Sequence, residues 1–159
     1  MNKESWKPGN MLYPVPVVMV SCGDKAGNTN IITVAWTGTI CSDPAMLYIS
    51  VRPERYSYNM IKETGEFVVN LTTEDLAYAT DWCGVKSGRD VDKWKEMKLT
   101  PMPAKMLAYA PIIGESPLSL ECKVEKIEEL GSHHMFIARV VNVQVTTDYM
   151  DDKGKFELN

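Results

Sequence analysis

The stretch LSLECKVEKIEELGSHHMFIARVVNVQVTT, residues 118–147, decides the fold class of this chain. It contains two long runs rich in strand-forming residues, Leu118–Leu130 and His134–Thr147. Gly131 and Ser132 mark a turn between them. The stretch therefore predicts two long strands of an antiparallel structure.

Four shorter strands are predicted upstream, each bounded by residues that favour turns. The turn cluster Gly23–Asn28 joins the first two, and Ser42–Pro44 precedes the third. This arrangement predicts an antiparallel meander for the first three strands. The four predicted strands are Pro14–Cys22, Asn30–Thr37, Met46–Arg52 and Glu66–Leu71.

Short helices are predicted in the middle of the chain. Ser57 stands in the N-cap position of the first helix, and Gly65 ends it. A threonine caps the second helix, and acidic residues follow in its first turn, where the helix dipole favours anions. The predicted helices are Ser57–Thr64, a helix from Thr72 or Thr73 through Trp82, and a helix of about three turns over Ser87–Met97.

Strands dominate this pattern, and strands and helices do not alternate as a parallel sheet would require. A length of 159 residues fits one domain, and no repeat or linker divides the chain. We therefore expect residues 1–159 to form a single, mainly β domain: an antiparallel barrel with a few short helices. Closing a sheet into a barrel also removes exposed strand edges.

Composition argues against several classes of function. The net charge is −4 and the sequence pI is about 5.2, whereas nucleic-acid binding usually requires a basic surface. No apolar run approaches the ~18 residues of a membrane span. Pro14 and Pro16 interrupt the apolar N-terminal stretch, which argues against a signal peptide. We predict a cytoplasmic protein that binds neither nucleic acid nor membrane.

The cysteines are predicted to be reduced, structural thiols. No two of them form a C-x-x-C pair, which argues against a zinc site and against a redox dithiol. The adjacent His133 and His134 are too few for a His-rich metal cluster. The four cysteines are Cys22, Cys41, Cys83 and Cys122.

Two segments carry anion-binding features. Arg52 and Arg55 precede the predicted helix that Ser57 opens, and guanidinium groups beside a helix N-terminus suit a phosphate. The alternative is a capped helix with two solvated arginines. Arg89 and Lys93 lie four residues apart in the third predicted helix, where a bound anion would relieve their repulsion. A neighbouring aspartate could relieve it equally well.

A third segment, Asn30–Thr39, interleaves threonines with Val34, Ala35 and Trp36. Such a strand can offer backbone groups and hydroxyls to a ligand on one side and an aromatic ring on the other. From this segment alone, Trp36 is more typical of a core residue than of a ligand platform.

Together these segments resemble the flavin reductase-like family, including the flavoredoxins, which bind FMN in a split β-barrel. The most specific matches are SGRDVDK, residues 87–93, and EFVVN, residues 66–70. The resemblance runs in order from about residue 14 to about residue 145. The other matching stretches are residues 14–21, 30–37, 42–44, 55–58, 83–86, 120–122 and 131–133.

The resemblance implies a set of cofactor-binding residues. The Asn–Trp strand would line the flavin, Ser57 would hold the phosphate with Arg52 and Arg55 as charge partners, and Lys93 would add a polar contact. His133 would follow the glycine-containing turn, with its neighbour His134 as an alternative. The resemblance identifies no catalytic residue. The residues implied in the Asn–Trp strand are Asn30, Ala35, Trp36 and Thr37.

The resemblance also implies function and assembly, and it leaves alternatives open. The chain would be an FMN-dependent oxidoreductase: an NAD(P)H-dependent flavin reductase, or a flavoredoxin-like carrier that takes electrons from a partner protein. A non-enzymatic flavin-binding protein is the third possibility. Relatives are typically homodimers, and they continue past the equivalent of Phe156 with another aromatic-containing segment. We therefore expect either a short variant or a truncated chain.

Overall fold

The computed structural model describes residues 1–157. Seven strands form one sheet, in the order β2-β1-β5-β8-β9-β4-β3, and two short strands pair separately. The nine strands are β1 (Val18–Gly23), β2 (Thr29–Val34), β3 (Thr37–Ser42), β4 (Ala45–Val51), β5 (Glu66–Asn70), β6 (Pro101–Met102), β7 (Ile112–Ile113), β8 (Leu118–Glu129) and β9 (His134–Val145).

The two long strands β8 and β9 pair along their whole length, as the sequence predicts. Every strand pair in the described residues is antiparallel, which confirms the predicted class. The register of the β8–β9 pair shifts between Glu121 and Cys122 and again between Val124 and Lys126. Such irregularities bend a strand and increase its twist, which helps a sheet to curl.

The two ends of the sheet meet at one corner. Strands β2 and β3 lie at opposite ends of the strand order, yet only Ala35 and Trp36 separate them along the chain. Three peptide units span at most about 11 Å, so the sheet must curl until its ends lie side by side. This is a split β-barrel: its end strands come together at the corner but are not joined by a ladder.

This corner corrects two of the sequence predictions. The predicted strand Asn30–Thr37 breaks after Val34, and the chain continues in β3, which was not predicted. The first two predicted strands pair with each other, as β1 and β2. The predicted meander is nevertheless wrong, because β4 pairs with β3 and β9 instead of with β2. The break occurs because the backbone changes partners here: Ser50 N donates to Trp36 O at 2.9 Å, which attaches the bend to β4.

The barrel interior is filled by the inward-facing residues of the strands and by one face of a helix. Phe67 and Phe136 are its largest fully buried side chains, and truncating either to alanine should cost about 3–5 kcal/mol. Cys22 and Cys122 lie in the same core as free thiols, and burial raises the pKa of each to about 12. These thiols therefore stay protonated and behave as small apolar residues.

The helices α1 (Tyr56–Thr64), α2 (Ala77–Val85) and α3 (Lys93–Glu96) cover one side of the barrel. Gly65 ends α1 in a left-handed conformation, φ 69°, as predicted. The predicted N-cap is wrong: Arg55 occupies the cap position, and Ser57 is fully buried within the first turn.

The predicted three-turn helix Ser87–Met97 is also wrong. Residues 87–91 form a turn, with the amides of Asp90 and Val91 bonded to Ser87 O, and only α3 is helical. The Asp92 carboxylate accepts from the first amides of α3 and so starts a new helix instead of continuing an old one. Arg89 and Lys93 therefore do not share a helix face.

Strand β1 begins at Val18, four residues later than the predicted start at Pro14. Prolines have no N–H to donate to a ladder, so Pro14 and Pro16 stay outside it. Among the described residues, no helix is long and apolar enough to cross a bilayer.

Candidate anion-binding cleft

A cleft opens at the corner where the two ends of the sheet meet. It consists of two adjoining cavities of about 260 and 280 Å³ that share Ile32 and Arg55 in their walls. We name them the Trp36 cavity and the Lys93 cavity after one wall residue of each. Eight of the nine residues singled out in the sequence line this cleft: Asn30, Ala35, Trp36, Arg52, Arg55, Ser57, Lys93 and His133.

Thr37 is the ninth residue, and it lies outside the cleft. Its hydroxyl donates to Tyr48 O at 2.7 Å, which holds the start of β3 against β4. It lines an adjoining cavity of about 330 Å³ under the N-terminal segment, residues 9–16, which shares Ala35 and Trp36 with the Trp36 cavity.

Lys93 is the most unusual residue of the cleft. Its side chain is only 3% exposed, and its Nζ donates to Ile31 O at 2.6 Å and to Cys83 O at 2.7 Å. The start of α3, set by Asp92, aims it between β2 and the end of α2. An ammonium group has three donors, so two backbone bonds leave one N–H for a further acceptor in the cavity.

The positive charge of Lys93 has no acidic partner. Its pKa is lowered to about 8, chiefly by burial and in smaller part by the nearby charge of Arg55, while the neighbouring thiols act in the opposite sense. Within residues 1–157 the ion pairs are Lys126–Glu128 and Arg139–Glu125, both on the hairpin. A buried charge without a counterion costs free energy, so an anion in this cavity would be stabilised.

The first turn of α1 faces the same cavity. Ser57 is fully buried, and its Oγ accepts from Asn30 Nδ2 at 2.8 Å. The bond fixes the position of the hydroxyl oxygen beside the cavity. Tyr56 and Ser57 also line the cavity at the N-terminus of the helix, where backbone amides lack intrahelical partners and the dipole favours negative charge.

Two arginines and one glycine complete the Lys93 cavity. Arg55 Nη2 donates to Gly84 O at 2.7 Å, and Arg89 Nη1 donates to Glu54 O at 3.0 Å. The Arg89 guanidinium also lies 5.5 Å from the centre of the Tyr56 ring. A Cβ on Gly88 would lie 2.5 Å from Tyr56 Cδ1 and would collide with the Asn30 side chain, so only glycine fits this wall.

The Trp36 cavity has a different character. Trp36 is 40% exposed and is therefore not a core residue. Its ring lies 4.5 Å from that of His133, with an angle of 42° between the planes. Burial lowers the pKa of His133, and the charge of Arg52 adds to the effect, which favours a neutral imidazole near pH 7. The cavity thus offers a flat aromatic wall.

The adjacent histidine faces elsewhere. His134 Nδ1 lies 2.6 Å from the Tyr58 hydroxyl and does not line the cleft. Sequence reasoning left both histidines open, and the geometry selects His133.

Sequence reasoning missed several wall residues. Gly88 belongs to a motif quoted above, but its role depends on its contact with Asn30, which is distant in sequence. Arg89 was considered as part of an anion site, but its bond to Glu54 O was not foreseen. No local signal marks such contacts. The remaining wall residues that were not singled out are Ile32, Thr33, Val34, Ser50, Val51, Glu54, Tyr56, Lys86 and Ser87.

The fold and cleft define a class: a split β-barrel with a cationic cavity and an aromatic cavity side by side at its corner. The sequence pattern of the family described as "Flavin reductase like domain" matches residues 10–157, and the chain belongs to this family.

Solved structures agree with this assignment. Flavoredoxin of Desulfovibrio vulgaris (Miyazaki F) superposes with a TM-score of 0.88 at 31% identity, covering 98% of this chain and 83% of that one. Flavoredoxin from Methanosarcina acetivorans gives 0.84 at 29% identity, with coverages of 98% and 82%. An FMN-binding protein from Thermus thermophilus shares the fold, with a TM-score of 0.80 at 22% identity and coverages of 98% and 85%.

Proposed function

We propose that this chain binds FMN non-covalently in the cleft and transfers electrons or hydride through it. The observation that carries the proposal is Lys93: a buried ammonium without a carboxylate, with one donor left, in a cavity at the N-terminus of α1. A phosphate carries about −1.5 to −2 charges near neutral pH and would supply the missing counterion. Membership in the family supports the same cofactor.

The two cavities would bind different parts of FMN, the phosphate in the Lys93 cavity and the ring system in the Trp36 cavity. Lys93, Ser57 and Arg55 would hold the phosphate, with Asn30 positioning Ser57 and the bare Gly88 leaving room for it. Trp36, His133 and Ala35 would face the ring system, and Arg52 would add positive charge beside it. Thr37 follows Trp36 and lines an adjoining cavity, and its contact with the flavin stays a prediction.

FMN, when bound, supplies the redox chemistry itself. The protein binds the phosphate through charge-assisted hydrogen bonds and orients the ring against Trp36. The half-exposed Trp36 leaves the aromatic side of the cleft accessible to an electron donor. We assign no proton-transfer role to any side chain, so the protein's contribution is position and charge.

Two donors are consistent with this cleft: a reduced nicotinamide nucleotide and a partner protein. NADH and NADPH oxidation, measured with and without added flavin, separates the flavin reductase from the flavoredoxin-like carrier.

We also propose a homodimer, because the N-terminal segment exposes several large apolar side chains, including Trp6, Leu12 and Tyr13. Light scattering measures the mass that tests it.

The test of the cofactor is the visible absorption spectrum of the purified, unsupplemented protein, followed by chromatography of the material released on denaturation. We expect about one FMN per chain. A colourless protein that also fails to bind added FMN would overturn the proposal and leave only the fold.

A further inference from the structure

A third cavity, of about 450 Å³, lies between the end of β2 and helix α2. It shares Thr33 and Ala35 with the Trp36 cavity, so the two are separated only by the wall that these residues form. We name it the Thr73 cavity. Its volume lies within the ~300–1,000 Å³ range of small-molecule sites.

The hydroxyl groups that line this cavity already donate their hydrogens to the backbone. Thr33 donates to Thr80 O, Thr72 donates to Val17 O at 3.1 Å, and Thr80 donates to Leu76 O at 2.8 Å. A hydroxyl group whose hydrogen is engaged has only acceptor capacity left. Three of the four threonines in the wall therefore present acceptors to a ligand.

The charge of the cavity wall also favours a ligand that donates hydrogen bonds. Asp81 is the one ionisable residue that lines the cavity, and no lysine or arginine accompanies it. The carboxylate accepts hydrogen bonds and repels anions. Apolar groups, including those of Ala77 and Val85, form much of the remaining wall. The Lys93 cavity, by contrast, presents donors and positive charge.

From this arrangement we infer that the Thr73 cavity binds a small, uncharged ring compound that carries hydrogen-bond donors, such as an amide or a hydroxyl group, and that it rejects carboxylates. The wall offers hydroxyl acceptors and one exposed carboxylate, so a ligand that donates hydrogen bonds and carries no negative charge is favoured. Its position against the Trp36 cavity makes such a compound the redox partner of the cofactor. That role rests on the proposed FMN function, whereas the binding preference does not.

Benzamide and benzoate are matched probes of this preference, since they share the ring and differ in charge and in donors. We expect benzamide to bind at least about tenfold more tightly than benzoate, measured by chemical-shift titration of the amides lining the cavity. Equal affinities, or shifts confined to residues outside the cavity, would overturn the inference.

Two variants test whether the preference for benzamide arises in the Thr73 cavity. Asp81→Asn keeps the shape and removes the charge, so the preference for benzamide should shrink several-fold. Ala77→Trp fills the cavity from an exposed position of α2 and should abolish benzamide binding. An unchanged preference in the first variant or unchanged binding in the second would contradict the assignment.

The FMN proposal is tested separately on the same samples. Ala77 does not line the cleft, so Ala77→Trp should bind FMN like the parent protein. If FMN binds but benzamide does not, the further inference fails and the proposed function stands. If benzamide binds and FMN does not, the cavity assignment holds and its redox role is lost.

Discussion

The two cavities of the cleft differ in how completely the fold builds them before any ligand arrives. In the Lys93 cavity, Lys93 and Ser57 are buried and held by hydrogen bonds to β2 and α2. In the Trp36 cavity, Trp36 is half-exposed and its ring packs against that of His133. A preorganised cavity loses little entropy on binding, so affinity should come from the Lys93 side and access from the Trp36 side.

The largest effect is expected from Lys93→Met, which keeps the length of the side chain and removes its charge. Losing one charge-assisted hydrogen bond of about 1.5–3 kcal/mol should weaken FMN binding roughly 100-fold. Isothermal titration calorimetry measures the affinity. Riboflavin, which lacks the phosphate, should bind the variant and the parent protein almost equally well.

Lys95→Met is the matched control for this variant. Lys95 lies two residues away on the same short helix and is exposed. Its replacement should leave FMN affinity unchanged within about twofold, because surface charges contribute little. Equal losses in both variants would mean that the charge of the whole surface, and not this cavity, attracts FMN.

A smaller effect is expected from Arg55→Ala. Arg55 is half-buried and already uses one guanidinium donor on Gly84 O, so its share in phosphate binding should be smaller. We expect FMN affinity to fall about tenfold or more. Unchanged affinity in both this variant and Lys93→Met would remove the phosphate from the Lys93 cavity.

The pKa of Lys93 predicts a pH dependence of binding. An anion binds the protonated lysine, so FMN affinity should decline as the pH rises through about 8, where the free protein loses this proton. The decline should reach about fivefold to tenfold by pH 9. In Lys93→Met the decline should disappear, and a parallel decline in both proteins would assign it to another group.

The stability of the apo protein should change in the opposite direction. The pKa of Lys93 is about 8 when folded and 10.5 ordinarily, so above pH 8 the unfolded state binds more protons and stability rises with pH. Burial raises the pKa of Cys83 to about 11 and those of Cys22 and Cys122 to about 12, so these three thiols oppose the trend near and above pH 9, in the parent protein and in the variant alike. Denaturant titrations at pH 8 and 9 should therefore show the parent protein gaining on Lys93→Met, and no relative gain would refute the burial of this charge.

The smallest effect is expected from Trp36→Ala. Aromatic contacts contribute about 0.5–1.5 kcal/mol, so FMN affinity should fall only about threefold to tenfold. Riboflavin affinity should fall by the same factor, because the Trp36 cavity does not contact the phosphate. A loss confined to FMN would mean that the assignments of the two cavities must be exchanged.

The strand content of the fold was predictable because alternation and turn residues are local signals. The long strands β8 and β9, β5 and the end of α1 at Gly65 follow from neighbouring residues alone. The break between β2 and β3 was not predictable, since Val34–Thr37 reads as one continuous strand. It breaks because Trp36 O finds its donor on Ser50, 14 residues further along the chain.

The candidate site was predictable mainly through family resemblance: of the nine residues that the resemblance implied, eight line the cleft. Reasoning from spacing alone placed Arg89 and Lys93 on one helix face, whereas Arg89 is exposed and Lys93 is buried. Asp92 caps a new helix between them. A helix cap depends on which amides are free, and this is decided by the fold around it.

By itself, the sequence determined the antiparallel class, the family and the residue types needed to bind a phosphate. These depend on local patterning and on side-chain chemistry. Only the tertiary structure decided that Lys93 is buried without a counterion and that His133 rather than His134 meets Trp36. Burial and the absence of a partner are properties of long-range packing: the two carbonyl groups that hold Lys93 lie 62 and 10 residues away along the chain.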